Sequence, residues 1–278
     1  MIRYQSLYNK MNQNIRQAAV AGMFYPADPS ELTSTINALF QAATTESGQQ
    51  TPPCPRAIIA PHAGYIYSGP TAAKAYQCLL DCHSHYNKVV LLGPSHRIAV
   101  SGLALSSADS YQTPLGTIPL DSNTLQTLDT YDFVSINDLA HRDEHSLEVH
   151  LPFLQITLDE FSLVPIVVGD IEPANVANIL EQFENEEHTL IVISTDLSHF
   201  HQYSEAQRRD QNTSAAILNY DYNAIGYEDA CGRNPVNGAL YWAQQYHHSI
   251  ALMDLRNSGD TAGDKERVVG YASYHIYK

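Results

Sequence analysis

Short apolar runs alternate with amphipathic stretches along most of the chain. The apolar runs have the length of buried strands, and the amphipathic stretches repeat apolar residues with a helical period. This alternation predicts an α/β fold, with a central mixed, largely parallel sheet flanked by helices. Strands are predicted at 57–60, 88–92, 162–168, 190–194, 249–255 and 268–277, and helices at 29–41, 71–82, 146–158, 173–183, 204–218 and 235–246.

Two segments interrupt the alternation. YQTPLGTIPL at residues 111–120 places Pro-Leu-Gly turn chemistry between β-prone residues and predicts a hairpin added to the sheet. The polar, proline-containing segment ATTESGQQTPPCP at residues 43–55 is interpreted as a loop and not as a domain boundary. A chain of 278 residues with 44% hydrophobic residues is within the range of one α/β domain.

Charge and hydropathy narrow the possible partners. The 30 acidic and 15 basic side chains give a net charge of -15, which argues against binding to nucleic acid or to anionic membranes. No apolar stretch approaches the roughly 20 residues of a membrane span, and the first residues lack the apolar core of a signal peptide. We therefore expect a cytoplasmic protein.

Four cysteines, Cys54, Cys78, Cys82 and Cys231, are too few for a disulfide scaffold. In a reducing compartment they are expected to remain thiols unless one of them has a chemical role. Cys78 and Cys82 lie one helical turn apart in TAAKAYQCLLDC, where ordinary helix packing is favoured over a metal pair.

Three histidines follow predicted strands. His62 comes after the strand in IIAPHAGY, His96 after that in VVLLGPSH, and His199 after that in LIVISTDLSH. Ligands of open α/β sheets bind outside the carboxyl ends of the strands, so these side chains are expected at one rim. Neutral imidazole suits metal binding, proton transfer or both, and the spacing alone does not choose between them.

Cys231 could complete a metal site. It precedes a helix whose first turn is marked by Pro235 in EDACGRNPVNGAL, and a helix N-terminus lowers the pKa of a thiol. The alternative is a buried cysteine that only caps the helix.

Acidic residues accompany the histidines in two segments. In LAHRDEHSLEVHLPFL, Glu144 and Glu148 can share a helix face with His145 beside them and could orient ligating histidines. The alternative is that the acidic residues complement the helix dipole. In STDLSHF, Asp196 could cap the following turn or orient His199.

Several ordered motifs together resemble one family. The strings AGMFYPAD, APHAGYIYSG, LLGPSH, TPLG, EHSLEVHLPFLQ, STDLSHF, CGRNP and GDTAGDKERVVGYAS are similar to the Memo family, also labelled AmmeMemoRadiSam system protein B. The resemblance covers Arg16 to Tyr274, so residues 1–15 are interpreted as an N-terminal extension and residues 16–278 as one Memo-like α/β domain.

The resemblance implies a fold similar to class III extradiol dioxygenases, which are non-haem iron enzymes. It implies that His62, His96 and Cys231 line the metal position and that His199 matches the acid–base histidine of those enzymes. A cysteine stands where the dioxygenases use a carboxylate, which makes the site softer than the usual iron triad. Iron or copper is expected before zinc. Arg97 and His201 depart from the pattern expected in many relatives.

We therefore predict a metal-dependent oxidoreductase related to these dioxygenases. His62, His96 and Cys231 are its predicted metal ligands, His199, Asp196 and His145 its catalytic residues, and Glu144 and Glu148 outer partners of the ligands. The cleft should take a small molecule or a peptide. The family also implies pathway partners with AMMECR1 and radical-SAM domains. The alternative is a non-catalytic binding module that captures a peptide or small anion in the same cleft.

Overall fold

A computed structural model describes residues 14–46 and 53–278. The first half of the chain contains β1 (Ile15–Arg16), α1 (Pro29–Glu46), β2 (Ala57–Ala60), α2 (Tyr65–Tyr76), β3 (Lys88–Pro94), β4 (Leu103–Leu105), β5 (Ser110–Thr113), β6 (Gly116–Pro119), α3 (Ser122–Leu128) and β7 (Val134–Ile136). The second half contains α4 (Asp138–Arg142), α5 (Leu151–Thr157), β8 (Ser162–Val168), α6 (Pro173–Glu181), β9 (Thr189–Ser194), β10 (His199–His201), α7 (Tyr203–Leu218), α8 (Arg233–Gln245), β11 (Ser249–Asn257) and β12 (Val268–Tyr277). Short 3-10 helices cover Gln77–Asp81, Glu148–His150, Tyr222–Ala224 and Ser258–Asp260.

Most of these strands form one nine-stranded mixed sheet. Its order is β10-β12-β2-β9-β3-β8-β4-β7, with β11 paired to β12. The four central strands, β2, β9, β3 and β8, are parallel, whereas β12 and β4 join them in antiparallel orientation. Helix α8 packs on β3 and β9, and α2 packs on β2, β11 and β12. The predicted α/β class is confirmed.

The central strands form where the sequence has continuous apolar runs. Every residue of AIIA in β2 and of TLIVIS in β9 is buried, as are all residues but the first in β3 and β8. Strands covered by helices on both faces need apolar side chains on both faces, which explains why these runs do not alternate. Because the four strands are parallel, their carboxyl ends meet at one edge.

The predicted hairpin exists, but it is not part of the main sheet. β5 and β6 pair antiparallel in a separate three-stranded sheet that β1 completes. The expectation that this hairpin extends the central sheet is therefore wrong, because β5 pairs with the chain near its beginning. Of the predicted N-terminal extension, residues 1–13 lie outside the described residues, whereas Ile15 is in β1.

Two helices and one pair of cysteines also differ from expectation. The helix predicted at 71–82 begins at Tyr65 and ends in a 3-10 turn, and the one predicted at 146–158 is a 3-10 turn followed by the short α5.

Cys54 and Cys82 form a disulfide, so these two cysteines are not thiols in the structure. Cys78 and Cys231 are free. The predicted loop at 43–55 is partly helical, since α1 continues to Glu46, and residues 47–52 lie outside the described residues.

Candidate metal centre

Three histidines meet at the carboxyl edge of the central strands. His62 lies two residues beyond β2, His96 two residues beyond β3, and His145 just before the 3-10 helix Glu148–His150. One ring nitrogen from each lies within 4.8 Å of the others. The ring centroids of His96 and His145 are 4.6 Å apart, and His62 is 5.1 Å from His96 and 5.4 Å from His145.

The position of the protons on His62 follows from its neighbours. Ser194, the last residue of β9, donates its hydroxyl proton to the carbonyl of Ser146 at 2.7 Å. Its Oγ can therefore accept a hydrogen bond from His62 Nδ1, which lies 2.6 Å away. This arrangement leaves the lone pair on His62 Nε2, where it faces the thiol of Cys231 at 3.4 Å, and an imidazole nitrogen with a lone pair is the one that binds metal ions.

Glu144 holds His96 in the same way. Its Oε1 lies 2.9 Å from His96 Nδ1, and since a carboxylate only accepts, Nδ1 carries a proton, and in the neutral ring the lone pair is on Nε2. The two carboxylate oxygens also accept hydrogen bonds from the backbone N–H groups of His96, His145 and Ser146. A carboxylate that orients a histidine behind a metal site is a recurrent arrangement in proteins.

Burial and neighbouring charges shift the pKa values in the site. His62 and Glu144 are buried, His145 is half-buried and His96 is exposed. Burial raises the pKa of Glu144, but the hydrogen bonds and charge of His96 and the backbone N–H donors outweigh burial and lower that pKa to about 2. Burial, reinforced by the neighbouring histidines, holds the pKa of His62 well below its usual range. Burial and the charge of His96 lower the pKa of His145 to about 4. His62 and His145 are therefore neutral at pH 7, with an ionised carboxylate beside them.

Cys231 borders the histidines, but it is not one of the three residues that share the 4.8 Å cluster. Its Sγ lies 3.4 Å from His62 Nε2 and accepts a hydrogen bond from the backbone N–H of Asp196 at 3.3 Å. Gly232 permits this close approach, because a Cβ there would lie 2.3 Å from the carbonyl oxygen of Ser194. The expected lowering of the thiol pKa is wrong: burial raises the pKa of Cys231, and the charge of Asp196 adds to the rise.

Asp196 and His199 lie on the loop and short strand that follow β9. Asp196 Oδ1 accepts a hydrogen bond from the backbone N–H of His62 at 2.8 Å, and its Oδ2 lies 4.0 Å from His62 Nε2. Burial raises the pKa of Asp196, while the charge of His199 opposes the rise. Within residues 14–46 and 53–278, Asp196 has no hydrogen bond to His199, so its carboxylate supports the His62 loop, and orientation of His199, one of the two roles considered for Asp196, has no hydrogen bond behind it.

Glu148 is placed differently from the expectation. Its carboxylate forms a buried ion pair with Arg16 and accepts hydrogen bonds from the hydroxyl of Tyr25 and the backbone N–H groups of Ala19 and Val20. Glu148 therefore anchors the chain that follows β1 and is not a partner of the histidines. The helix predicted over this segment would have put both glutamates on one face, but a 3-10 turn begins at Glu148 instead.

Two residues of the site differ from what the sequence predicted. His145 was expected among the catalytic residues, whereas the structure groups its ring with those of His62 and His96. Ser194 was not singled out at all, although a polar residue ending the apolar run TLIVIS was a usable signal. His145 Nδ1 is buried, lies 3.3 Å from Glu144 Oε1 and makes no hydrogen bond, so it is an unsatisfied polar atom in this cluster.

The donor set fits a metal ion. Two imidazoles held through Nδ1, the neutral imidazole of His145, a nearby thiol and an ionised carboxylate behind His96 are ligands and supports that suit zinc, copper or iron. Hydrogen bonds to the buried residues Glu144 and Ser194 hold two of these rings, which are thus arranged before any ion binds. Within the described residues, no helix is both long and apolar enough to cross a bilayer.

Comparisons with known proteins agree with the motifs. The family model described as "Memo-like protein" matches residues 16–275. A MEMO1 family protein of Aquifex aeolicus is 36% identical over 268 residues, which cover 92% of this chain and 97% of the relative. A MEMO1 family protein of Methanobrevibacter smithii is 36% identical over 279 residues, covering 93% and 98%. A third, of Methanopyrus kandleri, is 34% identical over 285 residues, covering 93% and 97%.

Proposed function

Since this chain belongs to the Memo family, we propose that it is a metal-dependent oxidoreductase whose ion is held by His62, His96 and His145. The observation that carries the proposal is a pair of hydrogen bonds: Ser194 Oγ and Glu144 Oε1 each accept from Nδ1 of one histidine, so that in the neutral ring the lone pair is on Nε2. Cys231, 3.4 Å from His62 Nε2, is the candidate for a further ligand.

Iron or copper fits this proposal better than zinc, because the proposed reaction is a redox reaction. A bound iron or copper ion would supply electron-transfer chemistry that the side chains of the cleft do not supply. Glu144 keeps the proton on His96 Nδ1, and the burial of His62 and Asp196 excludes water from that side of the cluster. His199 stands on β10, partly exposed, and is proposed to move a proton at one of its ring nitrogens.

A paired metal analysis tests the proposal. The wild-type protein and the variants His62→Ala and His199→Ala are purified without chelator, checked for folding by circular dichroism, and analysed for iron, copper and zinc. We expect about one ion per chain in the wild type and in His199→Ala, and little metal in His62→Ala. In oxygen-consumption assays His199→Ala should lose activity by about 100- to 10,000-fold if it acts as a general acid or base.

An exposed histidine provides the matched control. His83 pairs with Asp159 at the surface, and its side chain is 56% exposed, so His83→Ala removes an imidazole without touching the cluster. It should keep both metal and activity. A folded wild-type protein without any of the three metals would leave the cleft as a non-catalytic binding module. A metal-free but folded His199→Ala would make His199 a ligand and end the assignment of a proton-transfer role.

A further inference from the structure

Most of the arginines that the structure describes are paired with other groups of this acidic protein. Arg16, Arg142, Arg208, Arg209 and Arg256 pair with carboxylates, and Arg56 donates to backbone carbonyls. Among residues 14–46 and 53–278, the guanidinium groups of Arg97, Arg233 and Arg267 have neither a carboxylate nor a carbonyl partner. In a chain with 30 acidic and 15 basic residues, three unpaired arginines require an explanation.

All three arginines adjoin the segments that carry the candidate metal centre. Arg97 directly follows His96 beyond the end of β3, and its side chain is exposed. Arg233 lies two residues after Cys231, and its Nε is buried without a hydrogen-bond partner. Arg267 precedes β12, and its guanidinium lies 5.0 Å from the ring of Phe200, the neighbour of His199.

Aromatic rings accompany these cations. The ring of Phe24 lies 4.8 Å from that of His145, the ring of Phe200 lies 5.6 Å from that of His199 and is 61% exposed, and Tyr227 stacks on Arg233 at 3.4 Å. Phe200 has a φ of 62°, a left-handed backbone conformation that is strained for a non-glycine residue. The chain thus tolerates a strained residue that keeps an apolar ring in contact with solvent beside His199.

We propose that the metal centre acts on an organic anion with a flat apolar body, whose carboxylate or phosphate group binds Arg97 while Phe24 and Phe200 cover the apolar part. This inference rests on the proposed function and adds the class of its substrate. A guanidinium offers two parallel N–H donors that match the oxygens of a carboxylate or phosphate. A protein with a net charge of -15 repels anions in general, so a local unpaired cation is what lets one enter.

Benzoate is a simple probe of this arrangement, and benzamide has the same shape without the charge. Calorimetric titrations compare both compounds on the metal-free and the cobalt(II)-loaded wild-type protein, on Arg97→Gln and on the control Arg142→Gln. Arg142 is an exposed arginine that already pairs with Asp143, so its replacement removes the same charge from the surface. We expect benzoate to bind the wild type and Arg142→Gln equally and Arg97→Gln about 10-fold more weakly, and benzamide to bind none of them measurably.

Three results would overturn the proposal. Equal benzoate affinity in wild type and Arg97→Gln would remove Arg97 from the site, and equal losses in both arginine variants would reduce the effect to general surface charge. Inorganic phosphate binding as tightly as benzoate would remove the apolar half of the proposal. Cobalt binding is measured separately: if cobalt fails to bind but Arg97-dependent benzoate binding persists, the proposed oxidoreductase function fails while the anion site stands.

Discussion

Glu144 and Glu148 lie four residues apart, are both buried, and have different roles. Glu144 accepts hydrogen bonds from the ring and backbone of His96 and from the next two backbone N–H groups, so it supports the metal centre. Glu148 pairs with Arg16 and fixes the chain after β1. A continuous α-helix would align the two side chains. Here the backbone between them is not helical and a 3-10 helix begins only at Glu148, so the side chains are separated.

At this scale we predict that Glu144→Gln weakens metal affinity by about 10- to 100-fold. An amide in place of the carboxylate presents an N–H group to some of the donors that Glu144 now accepts, so the His96 ring loses its fixed tautomer. The measurement is competition with a chromophoric chelator, using iron(II) or zinc.

Glu148→Gln is the matched control for that variant. It should leave the metal affinity of the folded protein unchanged and lower the free energy of unfolding by about 3 kcal/mol, because Arg16 remains buried without its counter-charge. Urea denaturation measures this change. Equal losses of metal from both variants would contradict this assignment and mean that Glu148 also supports the histidines.

At the scale of elements, the site lies at the carboxyl ends of the parallel strands, and the disulfide stabilises the opposite end of the sheet. His62 and His96 follow the carboxyl ends of β2 and β3, whereas Cys54 lies three residues before the beginning of β2 and pairs with Cys82 after the 3-10 helix Gln77–Asp81. The hydroxyl of Tyr86 donates a hydrogen bond to the carbonyl of Pro55 and also stabilises this end of the sheet. Loss of the disulfide should therefore affect stability and leave the site intact.

We predict that Cys82→Ser lowers the free energy of unfolding by about 2 to 4 kcal/mol in non-reducing buffer, because the disulfide closes a sequence separation of 28 residues in the unfolded chain. A reductant should bring the wild type to the stability of the variant, and metal content should not change. Cys78→Ser, which alters a free buried thiol, should respond to reductant as the wild type does. Identical urea curves of the wild type with and without reductant would mean that the cysteines remain thiols, as composition alone suggested.

At the scale of the whole molecule, buried histidines outside the metal centre connect stability to pH. His141 donates from Nε2 to the carbonyl of Ala104, so its Nδ1 accepts from the hydroxyl of Tyr111. Burial lowers the pKa of His141 to about 4 and that of His150 to about 3. Between these values and the ordinary pKa near 6.5, the unfolded chain binds more protons than the folded one.

The free energy of unfolding should therefore decline as pH falls from about 6.5 towards 4, by about 1.4 kcal/mol per pH unit for each buried neutral histidine. The stabilisation from these groups is complete above pH 6.5 and is lost below it. His150→Gln should reduce the slope of the free energy of unfolding against pH in this window by the equivalent of about one bound proton. Urea denaturation at pH 4.5 to 7.5 measures this slope. A slope unchanged by the substitution would show that His150 stays protonated in both states or neutral in both.

The sequence by itself determined the central strands and the family. Strands buried on both faces must be continuously apolar, so β2 and β8 could be bounded correctly from the pattern, and His62 and His96 could be placed at one rim because parallel strands end at the same edge. The ordered motifs likewise identify the Memo family from the sequence alone.

Only the tertiary structure decided which groups meet. Cys231 and His62 are separated by 169 residues in the sequence, and Arg16 and Glu148 by 132. Contacts across such separations produce no periodic pattern in the local sequence. The same reason applies to the hairpin, whose partner is the chain near its beginning, and to the Cys54–Cys82 pair. Hydrophobic period reports how each segment faces the core, whereas polar contacts depend on how distant segments pack, which is why His145 joined the cluster and Glu148 did not.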